Sequence, residues 1–535
     1  MSGEEPIAES PESRDGTMVR DAGLLSLLTL VSRVLGLVRE MTKANFLGTG
    51  LLSDAFTVAF IIPNFMRRLF AENSVSVAFI PTFKGYLHDG DEAATRKFLS
   101  SSFTVLLILV SAVVALGMVL APWIVLAFGS DPDETAILTR IMFPFLGLVS
   151  VAALFQGILN SYGVFAPSGY APILFNVCFI AVPWMLKPWM SNPARAMAVG
   201  VVMGGLAQAL CQLPAVLRTG SRFGFIAPAQ AFKDPGMLKV FALIGPTVLG
   251  MAAYQINDLV STAFASRAGT GTASSLQYSL RLQELILGIF AVSAGTVLLP
   301  RLADAVKNGA WGDYSASLGS TLKRLSLTTV PVAVFSMVAG REIVALLFKR
   351  GDFSAESVEL TAAAFFWHQA GLAFIAANRV MAPAFYARSD SKTPAFAGIA
   401  SFAVNIALVA VLAVPFRGPG IALALSLSSL VNTAILAACL LRRKTEGMAT
   451  ALAGAALYSA RLLAFSLVAA FPLILLRKPL VELCASSDSS FVSAGLPFLA
   501  MTCVYAIVGV GLLVLTRDET ASSFIRGFKR AGSKS

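Results

Sequence analysis

Long apolar runs separated by short, turn-rich breaks fill most of this chain. A bilayer-crossing helix needs about 20 apolar residues at about 1.5 Å rise each. Runs of that length recur near 24–48, 54–81, 99–128, 136–165, 168–189, 195–218, 238–266, 272–300, 316–340, 357–386, 393–415, 418–441, 457–476 and 492–516. The pattern predicts an all-α polytopic membrane protein of about 14 transmembrane helices. Residues 1–22 stand apart: Glu4, Glu5, Pro6, Glu9, Pro11, Glu12 and Asp15 surround no apolar stretch. They predict a disordered cytoplasmic tail, not a cleavable signal peptide.

The runs repeat. Gly48-Thr49-Gly50 before the second matches Gly269-Thr270-Gly271 before the eighth, and Phe70-Ala71 through Ile80-Pro81 resembles Phe290-Ala291 through Leu299-Pro300. The period is about 220 residues, or six spans. Six is even, so both copies enter the membrane in the same sense. They predict two pseudo-symmetric six-helix lobes, 23–218 and 238–443, related by an axis along the membrane normal, with the substrate site between them. Residues 219–237, with Arg222, Pro228, Lys233 and Pro235, form the expected cytoplasmic linker, carrying an amphipathic helix. Residues 444–516 add two C-terminal helices with no counterpart in the repeat, and 517–535 form a basic cytoplasmic tail.

Composition narrows the function classes. The 535 residues are 56% hydrophobic and 13% charged, with mean hydropathy +0.75, against about 25% charged in an ordinary soluble domain. A soluble enzyme is excluded. Cys178, Cys211, Cys439, Cys484 and Cys503 lack metal-type spacing and read as small buried hydrophobes. The net charge of +11 is not laid out as a basic surface interleaved with aromatics, so nucleic acid is not the partner; anionic lipid and an anionic substrate are. With the N-terminus in the cytoplasm, roughly 20 Lys/Arg fall on cytoplasmic segments and about nine outside, which predicts both termini inside.

Several charges sit where hydrocarbon should forbid them. Arg33, Arg39, Glu40 and Lys43 lie in the first run. At about 100° per residue, Arg33 and Glu40 are about 20° apart and Arg39 and Lys43 about 40° apart, which makes two polar stripes. Asp54, Arg67, Arg68 and Glu72 follow on the second run, Asp258 on the seventh, Arg281 and Glu284 on the eighth, and Arg379 on the tenth. One arginine facing lipid at the bilayer centre costs at least about 2.5–3.5 kcal/mol, so a hydrated central cavity is expected. Arg68 with Glu72 and Arg281 with Glu284 have the spacing of internal ion pairs. Arg33, Arg39 and Arg281 are read as substrate contacts, because the planar guanidinium donates two hydrogen bonds at once to phosphate. His368 reads as a hydrogen-bonded core residue rather than a proton relay. Asp258 and Asn405 are candidate ligands of a sodium ion, with a helix–helix hydrogen bond as the equal alternative.

There is no Walker A sequence, no GxSxG elbow and no paired carboxylates on a polar loop. No enzyme activity and no cofactor are expected. Energy for transport must come from an ion gradient such as sodium, the membrane potential or the substrate's own gradient.

Ser32-Arg33-x-Leu35-Gly36, Asp54-Ala55-Phe56, Pro63-Asn64-x-x-Arg67-Arg68-x-Phe70-Ala71-Glu72 and Ala382-Pro383-x-Phe385-Tyr386-Ala387-Arg388-x-Asp390-x-Lys392-Thr393-Pro394 occur in this order. In these motifs the chain resembles the MurJ (MviN) family of bacterial lipid II flippases, in the multidrug/oligosaccharidyl-lipid/polysaccharide exporter superfamily. The resemblance covers all but the acidic tail. It implies a cationic, inward-open cavity between two lobes, an apolar groove for the polyprenyl tail at the last two helices, the inner membrane as location, and lipid II and possible cell-wall synthesis proteins as partners. It places substrate-binding roles on Arg33, Arg39, Arg281, Arg67, Arg68, Asp54, Glu40 and Glu284. Two positions depart: Glu40 stands where the motif often has Asp, and Leu280 where some relatives have Asp, which removes one carboxylate beside Arg281. The implied function is flipping of lipid II by alternating access. The alternatives are export of another polyprenyl-linked glycan or a drug, and a non-transporting cell-wall scaffold.

Overall fold

A computed structural model describes residues 11–68, 75–129, 132–290, 292–484 and 491–523. All regular structure among them is helical, and the expected spans fall largely on helix where they are described. By length and composition, seven of these helices can cross a membrane, or nine if each of two bent pairs is one span. The chain divides into two compact units, one of residues up to Leu47 plus Ala55–Leu259, the other of Gly48–Asp54 plus Val260 onward. The short segment Gly48–Asp54 therefore belongs to the second unit although the chain on both sides of it belongs to the first.

The first unit holds α1 (Pro11–Leu47), most of α2 (Leu51–Met66), α3 (Ile80–Asp89), α4 (Glu92–Leu126), α5 (Pro132–Ser161), α6 (Ala166–Leu186), α7 (Pro193–Arg218), α8 (Pro228–Phe232) and the start of α9 (Pro235–Arg267). Helix α1 begins at Pro11, inside the stretch expected to be a tail. Apolar side chains gain little by leaving lipid for each other, so helices here associate by close packing of small residues against large ones. Gly117 faces the ring of Phe143, Gly204 that of Phe175 and Gly205 that of Phe145. A Cβ at Gly204 would lie 2.6 Å from the Phe175 ring and 3.1 Å from its carbonyl oxygen. Gly204→Val should therefore lower stability by about 1–3 kcal/mol, visible as a fall in melting temperature in detergent; an unchanged melting temperature would show that α6 and α7 can part without cost.

The expected linker is not a free strap. Its amphipathic helix reduces to the five residues of α8, and the extended residues before it dock on α4. The Gly224 N–H donates to Ser100 Oγ (3.2 Å) and the Ile226 N–H to Thr104 Oγ1 (3.2 Å), while the Phe223 ring packs on Phe103 and Phe155. Asp234, 4% exposed, then accepts from the Gly236 and Met237 N–H groups at the start of α9, as an N-terminal cap does.

The second unit holds α10 (Thr272–Phe290), α11 (Val292–Lys307), α12 (Trp311–Val338), α13 (Gly340–Phe348), α14 (Ala355–Ala370), α15 (Leu372–Tyr386), α16 (Lys392–Arg442), α17 (Met448–Cys484) and α18 (Leu496–Leu515). Its core joins Leu287, Leu302, Tyr314, Leu318, Leu372 and Phe385. Helices α12 and α13 meet at 78°, α14 and α15 at 42°. At the second bend Gly371 lies so near α16 that a Cβ there would come 2.8 Å from the Ser426 Cα. Helix α16 carries the two spans expected at 393–415 and 418–441. They part at Arg417, whose backbone is left-handed (φ 50°, ψ −132°), between Pro415 and Pro419, neither of which can donate an intrahelical hydrogen bond. The two added helices pack on α12 through Val334, Ala469, Leu473, Met501 and Tyr505. Cys178, Cys211 and Cys439 are half-buried free thiols, but Cys503 is exposed on α18, a correction to the expectation of burial: a small apolar side chain is at no disadvantage against hydrocarbon. The side chain of Cys484 lies outside the described residues.

The motif at 382–394 is a joint between loops. Tyr314 donates to the Ala384 carbonyl (2.6 Å), and the Arg388 guanidinium lies over the rings of Trp311 (4.7 Å) and Tyr314 (5.9 Å) while donating to Thr445 (2.9 Å). Asp390 accepts from the hydroxyl and N–H of Thr393 and pairs with Arg443. The Thr393 hydrogen bonds, with Arg443 in support, hold its carboxyl down to about 2.

Candidate functional site

In the first unit the charged face of α1 meets α6. The Arg39 guanidinium donates to Glu40 (2.7 Å) and to Asn176 Oδ1 (3.2 Å), and its carbon lies 5.8 and 5.5 Å from the ring centres of Phe175 and Phe179. Asn176 is itself 4% exposed and donates to the Ser32 carbonyl (3.2 Å). It thus ties α6 to α1 at two levels and fixes the orientation of Arg39. Lys43, 6% exposed, donates to Thr57 Oγ1 (2.9 Å) and sits 5.7 Å from the Phe56 ring. A buried ammonium survives only with such partners. Arg33 is exposed on α1. Arg67, just past α2, donates to Asn64 Oδ1 (3.0 Å), and Arg68 is half-buried beside it; Glu72, expected to pair with Arg68, lies outside the described residues.

In the second unit α10 is fixed along one face by polar contacts. Thr272, Ser275, Ser279 and Gln283 are all at most 2% exposed. Ser279 shares a 2.6 Å hydrogen bond with His368 Nδ1, and Gln283 donates to the His368 carbonyl. His368 is thus the hydrogen-bonded core residue expected. Away from this face Arg281 pairs with Glu284 at 2.6 Å, with side chains 31% and 44% exposed. Arg281 thus has an acid partner one turn on in its own helix, as its spacing from Glu284 predicts.

Asp54 is the best-held acid in this set. It is 3% exposed and accepts from the Gly271 N–H (2.6 Å), the Ser274 N–H (2.8 Å) and the Ser274 hydroxyl (2.7 Å). It thus supplies, from 217 residues away, the anion that the positive end of α10 attracts. Beside it Thr49 donates to Ser357 Oγ (2.8 Å). These bonds explain why Gly48–Asp54 belongs to the second unit. They also give the two Gly-Thr-Gly copies a common function, since the second supplies Gly271 to the carboxylate that follows the first.

The sodium candidates divide between the units: Asp258 belongs to the first and Asn405 to the second. Asn405, 1% exposed, lies 3.4 Å from Ser261 Oγ through its Nδ2, the helix–helix contact offered as the alternative. Among the described residues no group of three or more His, Cys, Asp or Glu is placed to hold a metal ion.

Sequence reasoning missed Asn176, Thr57 and Ser274. The available signal was polarity at membrane depth: Asn176 is the lone carboxamide in the apolar run Ala166–Leu186, and such a group seeks a partner on another helix.

The fold and these intramembrane charges define a multi-pass, all-helical membrane protein of the transporter type. Its backbone superposes on a solved lipid II flippase MurJ in an inward closed conformation with a TM-score of 0.74 at 24% identity, covering 92% of this chain and 99% of that one. An inward-facing multidrug resistance MATE transporter of the MOP superfamily gives 0.63 at 13% identity, over 80% and 96%. The chain belongs to the lipid II flippase MurJ family, whose model matches residues 43–483. The probable lipid II flippase MurJ of Treponema pallidum (strain Nichols) is 41% identical over 519 residues, 96% of this chain and 98% of its own length. That of Vibrio cholerae is 34% identical over 426 residues, 77% and 81%.

Proposed function

We propose that this protein carries lipid II from the cytoplasmic to the periplasmic leaflet of the bacterial inner membrane, with Arg33, Arg39 and Arg281 as the contacts of its diphosphate. Family membership supports the substrate, and the setting of Arg39 supports the chemistry. Two of the five N–H donors of Arg39 go to Glu40 and Asn176, and the neighbouring rings of Phe175 and Phe179 lie together against it. An incoming diphosphate exchanges for Glu40 and gains a pre-oriented fork. Polar surroundings spare the sugar–peptide head a passage through hydrocarbon, where each unsatisfied polar group costs several kcal/mol.

Movement follows from alternating access, with both termini cytoplasmic by the Lys/Arg asymmetry. In that orientation the Asp54 cap on α10 lies at the periplasmic end of the second unit. Flipping is separated from scaffolding by measuring lipid II on the outer leaflet after rapid inactivation of this protein. The expected result is loss of outer-leaflet lipid II within minutes while the cytoplasmic pool grows. Unchanged exposure would leave only a scaffold.

A further inference from the structure

Within the second unit, the first turns of α12 and α17 and residues after α18 line an open, mixed polar and apolar cavity of about 880 Å³. Lys323 and Arg324 line it with Ser320, Thr450, Thr520 and one acid, Glu519, so cations outnumber carboxylates two to one. Lys323 reaches across to α17: a Cβ at Gly454 would lie 3.4 Å from its ammonium nitrogen. Gly319 lets the helices close up, since a Cβ there would come 2.9 Å from that of Ala451.

A second, apolar slot of about 190 Å³ runs along the same three helices, lined by Leu327, Pro331, Leu462, Phe465 and Tyr505 among others. On α12 their linings follow one another along one face, Arg324 in the first and Leu327 and Pro331, at i+3 and i+7, in the second. Between them, on α17 and just past the end of α18, lies a polar girdle. Tyr458 donates to Asp518 (3.0 Å), and Arg461 pairs with the same carboxylate at 3.6 Å. This cluster separates the cationic lining from the apolar one.

From this amphipathic layout, a cationic cup at the membrane surface above an apolar slot, we infer that the cytoplasmic end of α12, α17 and α18 binds an anionic glycerophospholipid of the inner leaflet. Lys323 and Arg324 take the phosphate, the flanking hydroxyls take the headgroup, and one acyl chain enters the slot. Cation pairs at cytoplasmic helix ends are suited to this, each worth about 1 kcal/mol against an anionic surface. The site is separate from the arginines proposed for substrate and stands whether or not those carry lipid II.

The test uses the full chain in nanodiscs of phosphatidylcholine with or without 20% phosphatidylglycerol, a composition of about one anionic lipid in five. Phosphatidylglycerol should raise the melting temperature of the wild type by several degrees. It should raise that of the double variant Lys323→Ala/Arg324→Ala by less than a third as much. The exchange Lys323→Arg/Arg324→Lys keeps both charges and should retain the full rise, which distinguishes lost lipid from damaged packing. Equal stabilisation of wild type and alanine variant would overturn the site, as would loss of the rise in the charge-keeping exchange. Glycerol phosphate in solution should do nothing; stabilisation by it to the same degree would mean a soluble-anion pocket instead. Displacement of phosphatidylglycerol by equimolar undecaprenyl phosphate would assign the cup to the polyprenyl path and also overturn the inference.

Discussion

Arg281→Glu should abolish complementation of a flippase-depleted strain while the protein reaches the membrane at normal levels. The substitution replaces a 2.6 Å ion pair with Glu284 by two like charges at i,i+3, a repulsion of only a few tenths of a kcal/mol on a half-exposed helix surface. On the opposite face of α10, Ser279 and Gln283 keep their bonds to His368 of α14. Folding should therefore survive, and the loss must come from reversing the charge offered to a diphosphate. Arg281→Lys, a point charge without the bidentate fork, should support slow growth. Glu284→Gln should complement, because it removes the competitor for the guanidinium and not the guanidinium. Normal growth with Arg281→Glu would reject Arg281 as a substrate contact.

Asp54→Ala should cost stability and transport together. The carboxylate accepts three hydrogen bonds at a buried helix start, and its loss strands the Gly271 and Ser274 donors. Each buried unsatisfied donor costs about 1–3 kcal/mol, so a total of about 2–6 kcal/mol and a clear fall in melting temperature are expected. Asp54→Asn keeps an acceptor oxygen but loses the charge that the positive helix end favours, and should fall between. The separating measurement is accessibility of a single cysteine placed near Gly50 to an impermeant thiol reagent. If Asp54 keeps the Gly48–Asp54 turn closed on the start of α10, Asp54→Asn raises labelling at a temperature where the protein stays folded. Lower stability with unchanged labelling would leave it a helix cap and nothing more.

Apolar runs made most of the fold legible. Even the break in α16 was visible, because Pro415, Gly418 and Pro419 interrupt a run too long for one crossing, and the chain turns at Arg417. The bends before Gly340 and at Gly371 were not, because a glycine in an apolar run looks the same whether the helix continues or folds back. The candidate site was legible as a set of charges but not as a set of partners. Hydropathy reveals that Arg39 cannot face lipid; it does not reveal that Asn176, 137 residues on, will orient it. Asp54 was assigned to substrate by family resemblance, whereas its observed bonds are to the start of α10. Linear spacing cannot report a helix cap supplied from more than 200 residues away.

That distance bears on how the protein is made. Gly48–Asp54 enters the membrane early in synthesis, between two helices of the first unit, yet its partners Gly271, Ser274 and Ser357 have not been translated. At about 5–20 residues per second, the turn waits roughly 10–40 s with a carboxylate lacking its final donors. During that interval the ribosome-bound first half should be the species most exposed to quality-control proteolysis.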